Sequence, residues 1–442
     1  MEARIAITGL GIVSPCGTGV EPLASAVREG RSAIEVMTRF RGTTHLSRVG
    51  GQVSDFDPTL GIRKDQSRYI KKNIKVMALD IQLAVAAVNQ AILDSGLPIG
   101  DFGANEPVLP TIDHTRLGMV FGTNFIPTDL EDLAHPVQVS QEQGRFTLHA
   151  FGTRGIPQMF PLWLLKYLPN MHACHSSVLW DAQGPSNSLT CGDAGGLLAI
   201  DECTRIINRG TADMMLGGGA ESRVRTFAFL RQDLLRRLTK GDGDPARVCR
   251  PFDVGRTGPV AAEGAAVAML ERWTSALARG ARIYGEVLGT GAAAFTAGVS
   301  TCDPDGRAVA IAVRSALGDA GVGPEDLGAV YAHGTALDFQ DQSEARGLEA
   351  ALGDAAASVP VTATKGVTGN MGASSGVADL AVALVLGKQG LIPPILNCDR
   401  PDPEVRLNLV RGEARPLRKD LILVTTNAVG GQVAAAVIRV NR

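Results

Sequence analysis

The stretch that decides the fold is Asn187-Ser-Leu-Thr-Cys-Gly-Asp-Ala-Gly-Gly-Leu-Leu198. Its first residues predict a strand, its small residues predict a sharp turn, and the periodic run to about residue 208 predicts a helix. A strand that turns abruptly into a helix presents the turn residue to the unpaired N–H groups at the helix start. This arrangement is typical of a site that exposes a nucleophile.

Strands and helices alternate on both sides of this turn. A buried strand is predicted at 5–15, a helix at 21–29, a long helix at 65–95 and a strand at 117–121. The alternation continues after residue 250 and ends in a hairpin over 421–440. This order predicts an α/β protein of two successive halves, 1–250 and 251–442, with a less regular cap or insert at about 105–185.

Composition narrows the class of protein. The 442 residues carry 43 Lys and Arg against 45 Asp and Glu, so the net charge is 43 − 45 = −2. A near-neutral, Gly-rich chain of ordinary apolar content excludes a disordered chain and a generally basic nucleic-acid binder. The seven Cys form no disulfide framework or zinc-finger spacing, and no apolar run is long enough for a membrane span. We therefore expect a cytoplasmic protein without a bound metal.

Three further motifs lie at predicted strand ends, where the backbone can approach a ligand. They are Tyr331-Ala-His333-Gly-Thr335, Ala363-Thr-Lys365-Gly-Val-Thr-Gly-Asn370 and Val429-Gly430-Gly431. Together with the turn at Asp193 they predict one shared site.

These motifs, taken in order, resemble the elongating β-ketoacyl-acyl-carrier-protein synthases of the thiolase superfamily. The resemblance spans nearly the whole chain and includes ITGLGIVSP at 7–15, RPFD at 250–253, HGT at 333–335, Asp341, Glu344, TK at 364–365 and PPILN at 393–397. It implies a five-layer αβαβα fold with duplicated α/β halves, a dimer, and acyl groups carried on the phosphopantetheine of an acyl carrier protein. No other cofactor is expected.

The resemblance also implies a catalytic set with two replacements. Counting back without a gap from Gly218-Gly219-Ala220-Glu221, the position of the family's nucleophilic Cys falls on Asp193, 28 residues earlier (221 − 193). The family's second catalytic His is Asn370 here, whereas the first His and the Lys are kept as His333 and Lys365. The implied pantetheine-binding positions are Thr335, Asn427, Val429, Gly430 and Gly431.

Asp193 has two interpretations. It is either a plain helix N-cap or a carboxylate paired with His333 or Lys365, and such a pair would raise the pKa of His333. His333 is either a retained scaffold residue or, with Asn370 and Lys365, part of a residual oxyanion site.

Three functions compete. The first is a ketosynthase homologue of fatty acid or polyketide biosynthesis that does not condense and is the partner subunit of an active ketosynthase, similar to the chain-length factors of type II polyketide and polyene synthases. The second is a carrier-dependent enzyme with redirected chemistry, namely a malonyl decarboxylase, thioesterase or acyltransferase. The third is a condensing enzyme in which Cys191 is the nucleophile. A filled pocket at Asp193 favours the first, and an open one favours an enzyme or an acyl binder.

A basic run begins the long predicted helix, at Arg63, Lys64, Arg68, Lys71 and Lys72. It predicts either a solvated helix face or a docking face for an acidic carrier protein. The same docking face is predicted to include Arg223, Arg225, Arg236, Arg237 and Lys240. The expected partners are thus an acyl carrier protein and a second subunit, identical or different.

Overall fold

A computed structural model describes residues 4–39, 47–241, 243–296, 298 and 300–442 of the chain. Its main strands are β1 (Ile5–Ser14), β2 (Leu117–Thr123), β3 (Ser186–Thr190), β4 (Met214–Ser222), β5 (Glu263–Arg272), β6 (Gly285–Ala294), β7 (Leu327–Tyr331), β8 (Pro360–Thr362), β9 (Asn408–Leu409), β10 (Leu421–Asn427) and β11 (Gln432–Val440). The longer helices are α1 (Val20–Glu29), α2 (Lys64–Asn73), α3 (Leu79–Asp94), α4 (Leu130–Val139), α5 (Met171–Trp180), α6 (Gly195–Asn208), α7 (Thr226–Leu234), α8 (Arg307–Ala320), α9 (Asp338–Leu352) and α10 (Ser375–Lys388).

The strands form one continuous hydrogen-bonded sheet, and its two halves, called here the first and the second sheet, have similar strand orders. The first has the order β1-β5-β4-β2-β3 and the second β6-β11-β10-β7-β8-β9. In each, the first two neighbouring pairs are antiparallel and the following pairs are parallel. The sheets join where Ile5–Ile7 of β1 pairs with Gly285–Val287 of β6. The predicted duplication of an α/β unit is confirmed.

The layers follow from the alternation of side chains along each strand. In β5, Ala266, Ala268 and Leu270 pack with α6 and α10, whereas Ala265, Val267 and Met269 pack with α3 and α5. In β11, Ala434, Ala436 and Ile438 share the α6 and α10 core, whereas Val433, Ala435 and Val437 pack with α8 and α9. Helices α6 and α10 therefore lie between the two sheets, which confirms the predicted five-layer αβαβα arrangement.

The prediction of one continuous helix over 65–95 is wrong, because the helix is interrupted. Helix α2 ends at Asn73, a short 3-10 turn covers Ile74–Val76, and the extended residue Ala78 precedes α3. In the first turn of α3, Asp80 accepts a hydrogen bond from the Ser222 backbone N–H (3.0 Å) and pairs with Arg225 (3.0 Å). The sequence holds no Gly or Pro at this break, so periodicity alone could not reveal it.

The glycines at 217–219 belong to a strand rather than to a turn. They lie inside β4, which continues to Ser222. A Cβ on Gly218 would lie 2.1 Å from the Ala266 carbonyl oxygen, and one on Gly219 would lie 2.3 Å from that of Ala373. The glycines thus allow neighbouring backbone to approach the strand closely.

The predicted domain division at residue 250 and the cap at about 105–185 stay predictions. Strand β5, which follows residue 250, pairs with β1 and β4 of the first sheet. Between β2 and β3 the chain forms α4, several single turns and α5. Within the described ranges, no helix is long and apolar enough to cross a membrane.

Candidate functional site

A cavity of about 400 Å³ opens where the predicted motifs meet. Its wall includes the turn after β3, residues on and after α7, and the turn between β10 and β11. Asp193, Asn370, Val429 and Gly430 line it, as do Arg223, Arg231 and Arg237. The fold therefore brings the Asp193 turn, the Asn370 motif and the final glycine turn together around one space.

Asp193 lies at the turn that the sequence placed there, but it is not the N-cap of the helix. Gly192 has a left-handed φ of 57°, and Gly192–Ala194 form a 3-10 turn ahead of α6. The N-cap position of α6 is Ala194, without a side-chain capping bond. The N-cap interpretation of Asp193 is therefore wrong.

The Asp193 carboxylate belongs to a buried ionic cluster. Its Oδ1 lies 2.9 Å from an Nη of Arg223, and the Nε of Arg223 donates to Oε1 of Glu221 at 2.8 Å. The first contact is an ion pair rather than an aligned hydrogen bond. The three side chains are buried, with exposures of 5% for Asp193, 8% for Arg223 and 4% for Glu221.

The two carboxylates stabilise the positive charge of Arg223. Burial alone would lower the pKa of Arg223, but the two carboxylates outweigh it and raise that pKa. Glu221 also accepts hydrogen bonds from the Asn124 side-chain amide (3.1 Å) and from the Ala373 backbone N–H (3.0 Å). A guanidinium held between two carboxylates is a fixed part of the wall.

The predicted pairing of Asp193 with His333 or Lys365 is wrong, since Arg223 is its partner. The ammonium of Lys365 lies 2.8 Å from Oδ2 of Asp379, and Thr364 donates to the other oxygen. Lys365 is 1% exposed and does not line the cavity. The positive charge of Lys365 is therefore neutralised by Asp379, away from the cavity lining.

His333 is fully buried, and neither ring nitrogen has a hydrogen-bond partner among the described residues. Its position is fixed by the backbone, because Glu344 accepts from the N–H groups of His333 (2.7 Å) and Gly334 (2.8 Å). Burial, followed by the positive charges of Lys365 and Arg223, lowers the pKa of His333 well below its usual value. The predicted rise of this pKa is therefore wrong, and the imidazole is neutral.

Asn370 presents its amide to the cavity. Its Oδ1 accepts hydrogen bonds from the Gly372 backbone N–H (2.9 Å) and the Ser375 hydroxyl (3.3 Å). Because the oxygen is occupied, the NH₂ group is the part left to donate to a ligand. Asn370 can therefore stabilise an oxyanion or carbonyl oxygen, without the charge of an imidazolium.

The implied pantetheine-binding residues separate into two groups. Val429 and Gly430 line the cavity, whereas Thr335, Asn427 and Gly431 do not. The Thr335 hydroxyl donates to Oε1 of Gln340 at 2.7 Å, and the Gln340 amide donates to the Asn427 carbonyl. Gln340 itself lines the cavity. Thr335 and Asn427 therefore affect the cavity by holding the Gln340 side chain in place.

Cys191 also lines the cavity and is partly exposed. Burial raises the pKa of its thiol. A nucleophilic Cys needs a neighbour that lowers this pKa. The surroundings of Cys191 therefore do not favour the thiolate form.

Of the predicted docking residues, those from Arg63 to Lys72 lie along α2, whereas Arg225 is buried and pairs with Asp80 and Asp129. Buried Gln66 and Ile70 face the core, whereas the exposed stripe carries Lys64, Arg68, Lys71, Lys72 and Lys75. Arg63 is different, since it pairs with Asp65 at 2.8 Å. Docking itself stays a prediction. Elsewhere in the described chain, no group of three His, Cys, Asp or Glu is arranged to hold a metal.

The sequence motifs did not identify the three arginines that line the cavity, Arg223, Arg231 and Arg237. Arg223 and Arg237 were assigned to a surface docking face, and Arg231 was not singled out, yet all three line the cavity. The available signal was an Arg two residues after Glu221, at the end of a predicted buried strand. Its partner lies 30 residues earlier in the chain (223 − 193), so spacing gave no indication of the pair.

Comparisons with known proteins agree with this architecture. The profile of the Beta-ketoacyl synthase N-terminal domain matches residues 2–276, and that of the C-terminal domain matches residues 284–399. The chain is 32% identical over 431 residues to 3-oxoacyl-[acyl-carrier-protein] synthase 2 of Synechocystis sp., covering 97% of this chain and 96% of the relative. It is 30% identical over 440 residues to the Tetracenomycin polyketide synthase ketoacyl synthase alpha subunit of Streptomyces glaucescens, covering 99% and 97%.

A solved structure, the ishigamide ketosynthase/chain length factor, superposes on all of this chain with a TM-score of 0.84 at 26% identity, and all of that chain is covered. The duplicated sheets, the turn at Asp193 and the two family profiles lead to one conclusion. The chain belongs to the β-ketoacyl synthase family.

Proposed function

We propose that this chain is a non-condensing ketosynthase homologue that works as a chain-length-factor-like partner of an active ketosynthase. The observation that carries the proposal is the buried ion pair between Asp193 and Arg223. Condensation by this family requires a thiolate at the turn that begins α6, and here that position holds a carboxylate neutralised by a fixed guanidinium.

The chemistry of the surrounding groups supports this proposal. A carboxylate is a weak acyl acceptor, because the mixed anhydride it would form hydrolyses readily. Its pairing with Arg223 makes it weaker still, since the guanidinium withdraws the electron density needed for attack. His333 is buried and neutral, and it does not line the cavity.

A second subunit is supported by two exposed features of the first half. Strand β3 is an edge strand with exposed residues, and it pairs only with β2. Unpaired strand edges are usually covered in stable proteins. Nearby in sequence are exposed large apolar side chains, namely Phe125, Leu130, Phe146, Leu148, Ile156, Phe160, Leu162 and Leu164. The ketosynthase/chain length factor that resembles this chain supports a ketosynthase as the partner.

The acyl group is expected to arrive on the phosphopantetheine of an acyl carrier protein, with no other cofactor. The names of the relatives support this carrier. The exposed stripe of α2 supplies cations without ion-pair partners among the described residues, in Lys64, Arg68, Lys71 and Lys72. Such a face suits an acidic carrier.

One observation favours a second candidate, a carrier-dependent enzyme with redirected chemistry. The cavity beside Asp193 is open rather than filled, and Asn370 can donate to a thioester oxygen. Arg223 also offsets the repulsion that Asp193 would exert on a malonyl carboxylate. A decarboxylase, thioesterase or acyltransferase would use these groups, with His333 and Lys365 as supporting residues.

The test combines chemistry with assembly. The purified chain is incubated with malonyl- and hexanoyl-carrier protein, and intact mass, CO₂ and free acid are followed. We expect no acyl adduct and no turnover, whereas a cysteine-containing ketosynthase from the same genome forms the adduct. Native mass spectrometry of the two co-expressed chains is expected to detect a heterodimer.

Each competing function has its own signature. Turnover that is reduced in Asn370→Ala would support the redirected enzyme. An adduct that disappears in Cys191→Ser would make Cys191 the nucleophile. A homodimer that never exchanges subunits with the ketosynthase would contradict the partner role.

A further inference from the structure

A second groove lies at the opposite end of α6 from the Asp193 turn. It has a volume of about 340 Å³ and is lined by the end of α6, the end of α8 and the place where β1 and β6 pair. Asp193 precedes α6 and Asn208 ends it, so this 14-residue helix separates the two sites by about 21 Å at roughly 1.5 Å per residue. The groove is therefore distinct from the cavity described above.

The charges of this groove are balanced in number but not in position. The charged lining residues and their ion-pair partners are the cations Arg4, Arg205, Arg209 and Arg439 and the carboxylates Asp201, Glu202, Glu286 and Asp319. Glu286 pairs with two of the cations, Arg4 and Arg439, whereas Asp319 has no ion pair among the described residues. The groove therefore has a local excess of positive charge at Glu286 and of negative charge at Asp319.

Arg4 is held in place with part of its guanidinium unused. Its Nε and Nη2 donate to the two oxygens of Glu286 at 2.7 and 2.9 Å, and its guanidinium carbon lies 3.9 Å from the centre of the Trp273 ring. Arg439 donates to the same carboxylate at 3.3 Å. Nη1 of Arg4 has no hydrogen-bond partner within the described part of the chain, so it can donate to a ligand carboxylate.

Two acceptors on the groove wall have no donor. Asp319 lies in the last turn of α8, where the helix dipole disfavours a carboxylate. Its Oδ2 accepts from the Thr290 backbone N–H at 2.8 Å, while its Oδ1 has no donor among the residues that the structure describes. Asn208 also has a buried Oδ1 without a donor. Since both residues line the groove, they favour a ligand that donates hydrogen bonds from a cationic group.

We propose that this groove binds a free α-amino acid with an aliphatic side chain, its carboxylate on Arg4 and its ammonium on Asp319. A simple anion is repelled by Asp319 and a simple cation by Arg4, whereas a zwitterion satisfies both. A neutral ligand of this kind also keeps the balance of charge in the groove. The inference is independent of the proposed function, because it uses no residue of the Asp193 cavity.

The remaining lining residues suit this ligand. Arg205 uses only its Nε for Asp201, at 2.8 Å, so its terminal nitrogens can also donate to the ligand carboxylate. The apolar residues of the lining are Ile5, Val287 and Leu288, which provide a surface for an aliphatic side chain. The groove therefore combines a donor, an acceptor and an apolar surface, which are the three parts that an aliphatic amino acid needs.

The experiment removes one charge of the ligand at a time. Isothermal titration calorimetry on the full chain measures the dissociation constants of L-leucine, of N-acetyl-L-leucine, which lacks the ammonium, and of L-leucinamide, which lacks the carboxylate. We expect leucine to bind about tenfold more tightly than either derivative, since one hydrogen bond to a charged group contributes that order of affinity. L-Isoleucine and L-valine are measured in the same way to compare side chains.

Variants assign each charge to its residue. Asp319→Asn keeps an oxygen for the Thr290 N–H, and it is expected to abolish the preference for leucine over N-acetyl-leucine. Arg4→Gln leaves Arg439 on Glu286, and it is expected to abolish the preference for leucine over leucinamide. Asp354→Asn and Arg418→Gln are the matched controls, because both positions are exposed and do not line the groove. Circular dichroism melting curves of each variant establish that the fold is intact.

Several outcomes overturn the inference. No heat of binding from leucine, isoleucine or valine at about 10 mM excludes dissociation constants up to the millimolar range and removes the site. Equal binding of leucine and its two derivatives, or preferences that survive in Asp319→Asn and Arg4→Gln, shows that the charges of the groove do not select the ligand. These measurements need neither a ketosynthase nor a carrier protein, so their failure leaves the proposed function untouched.

Discussion

The two halves of the molecule contain the same turn with different chemistry. In the first half, Gly192 has a φ of 57° and begins a 3-10 turn ahead of the 14-residue helix α6. In the second half, Gly372 has a φ of 62° and begins a 3-10 turn ahead of the 14-residue helix α10. The central residue is Asp193 in the first turn and Ala373 in the second.

Both turns meet at Glu221. The Ala373 backbone N–H donates to its Oε2 at 3.0 Å, and Asp193 reaches it through Arg223. A Cβ on Gly372 would lie 1.9 Å from the same Oε2, so this turn closes tightly over the carboxylate. The difference teaches that one backbone turn holds a carboxylate paired with Arg223 in the first half and a methyl-bearing residue hydrogen-bonded to Glu221 in the second.

The largest effect is expected from removing the neutralising cation. Arg223→Met removes the cation that neutralises the buried carboxylates of Asp193 and Glu221, and breaking a buried ion pair in this way costs about 3–5 kcal/mol. Urea denaturation of the variant measures the loss in the free energy of unfolding. Adding Asp193→Asn to Arg223→Met should restore part of it, because the two substitutions act on one contact. Strictly additive losses would contradict the cluster.

The next effect comes from making the second turn resemble the first. Ala373→Asp places an unpaired carboxylate beside Glu221, and we expect a loss of about 3 kcal/mol. Ala373→Asn is the matched control, since it has the same shape without the charge. The difference between their unfolding free energies isolates the charge. Equal stability of the two variants would show that the second turn accepts an acid as readily as the first.

A smaller effect follows from the neutral His333 behind the two turns. Burial lowers its folded pKa below the ordinary value of 6.5, so below pH 6.5 the unfolded chain binds the extra proton. The stabilisation is therefore present above this pH and is lost as the pH falls, by at most about 1.4 kcal/mol per pH unit. His333→Gln should flatten the dependence of the unfolding free energy below pH 6.5, where the stabilisation is lost. Parallel curves for wild type and variant would contradict a neutral, buried imidazole.

The smallest effect on stability is expected for charges outside the cavity. Lys71→Gln with Lys72→Gln on exposed α2 should change the unfolding free energy by less than about 0.5 kcal/mol. Affinity for an acyl carrier protein, measured by surface plasmon resonance, should fall about two- to fivefold at low salt and converge with wild type at high salt. Lys388→Gln, also exposed, is the control. An unchanged affinity would remove α2 from the docking face.

Much of the fold could be predicted from the sequence, because it depends on local patterns. Apolar runs of five to ten residues indicated the strands, and the periodic run at 195–208 indicated a helix. The break before Leu79 could not be predicted, since Asp80 is held by Ser222 and Arg225 from distant parts of the chain. The role of the glycines at 217–219 also depends on distant parts of the chain, because they let other strands and turns approach β4 closely.

The site was predictable in its positions but not in its pairings. Asp193, Asn370, Val429 and Gly430 were identified from motifs, and the structure places all four on one cavity. The assignment of Lys365 or His333 to Asp193 failed, because Asp379 holds Lys365 and the ring of His333 has no partner among the described residues. Which charges meet depends on tertiary contacts that short motifs do not encode.

The sequence by itself determined the alternation of strands and helices, the small residues that shape the two turns, and the carboxyl group at position 193. Only the tertiary structure decided what that carboxyl group meets. Parallel pairing of β2 with β4 and packing of α10 against α6 bring Glu221, Arg223, Asp193 and Ala373 to one point. In that buried place an unpaired charge is costly, so the contact with Arg223 defines the chemistry that Asp193 can perform.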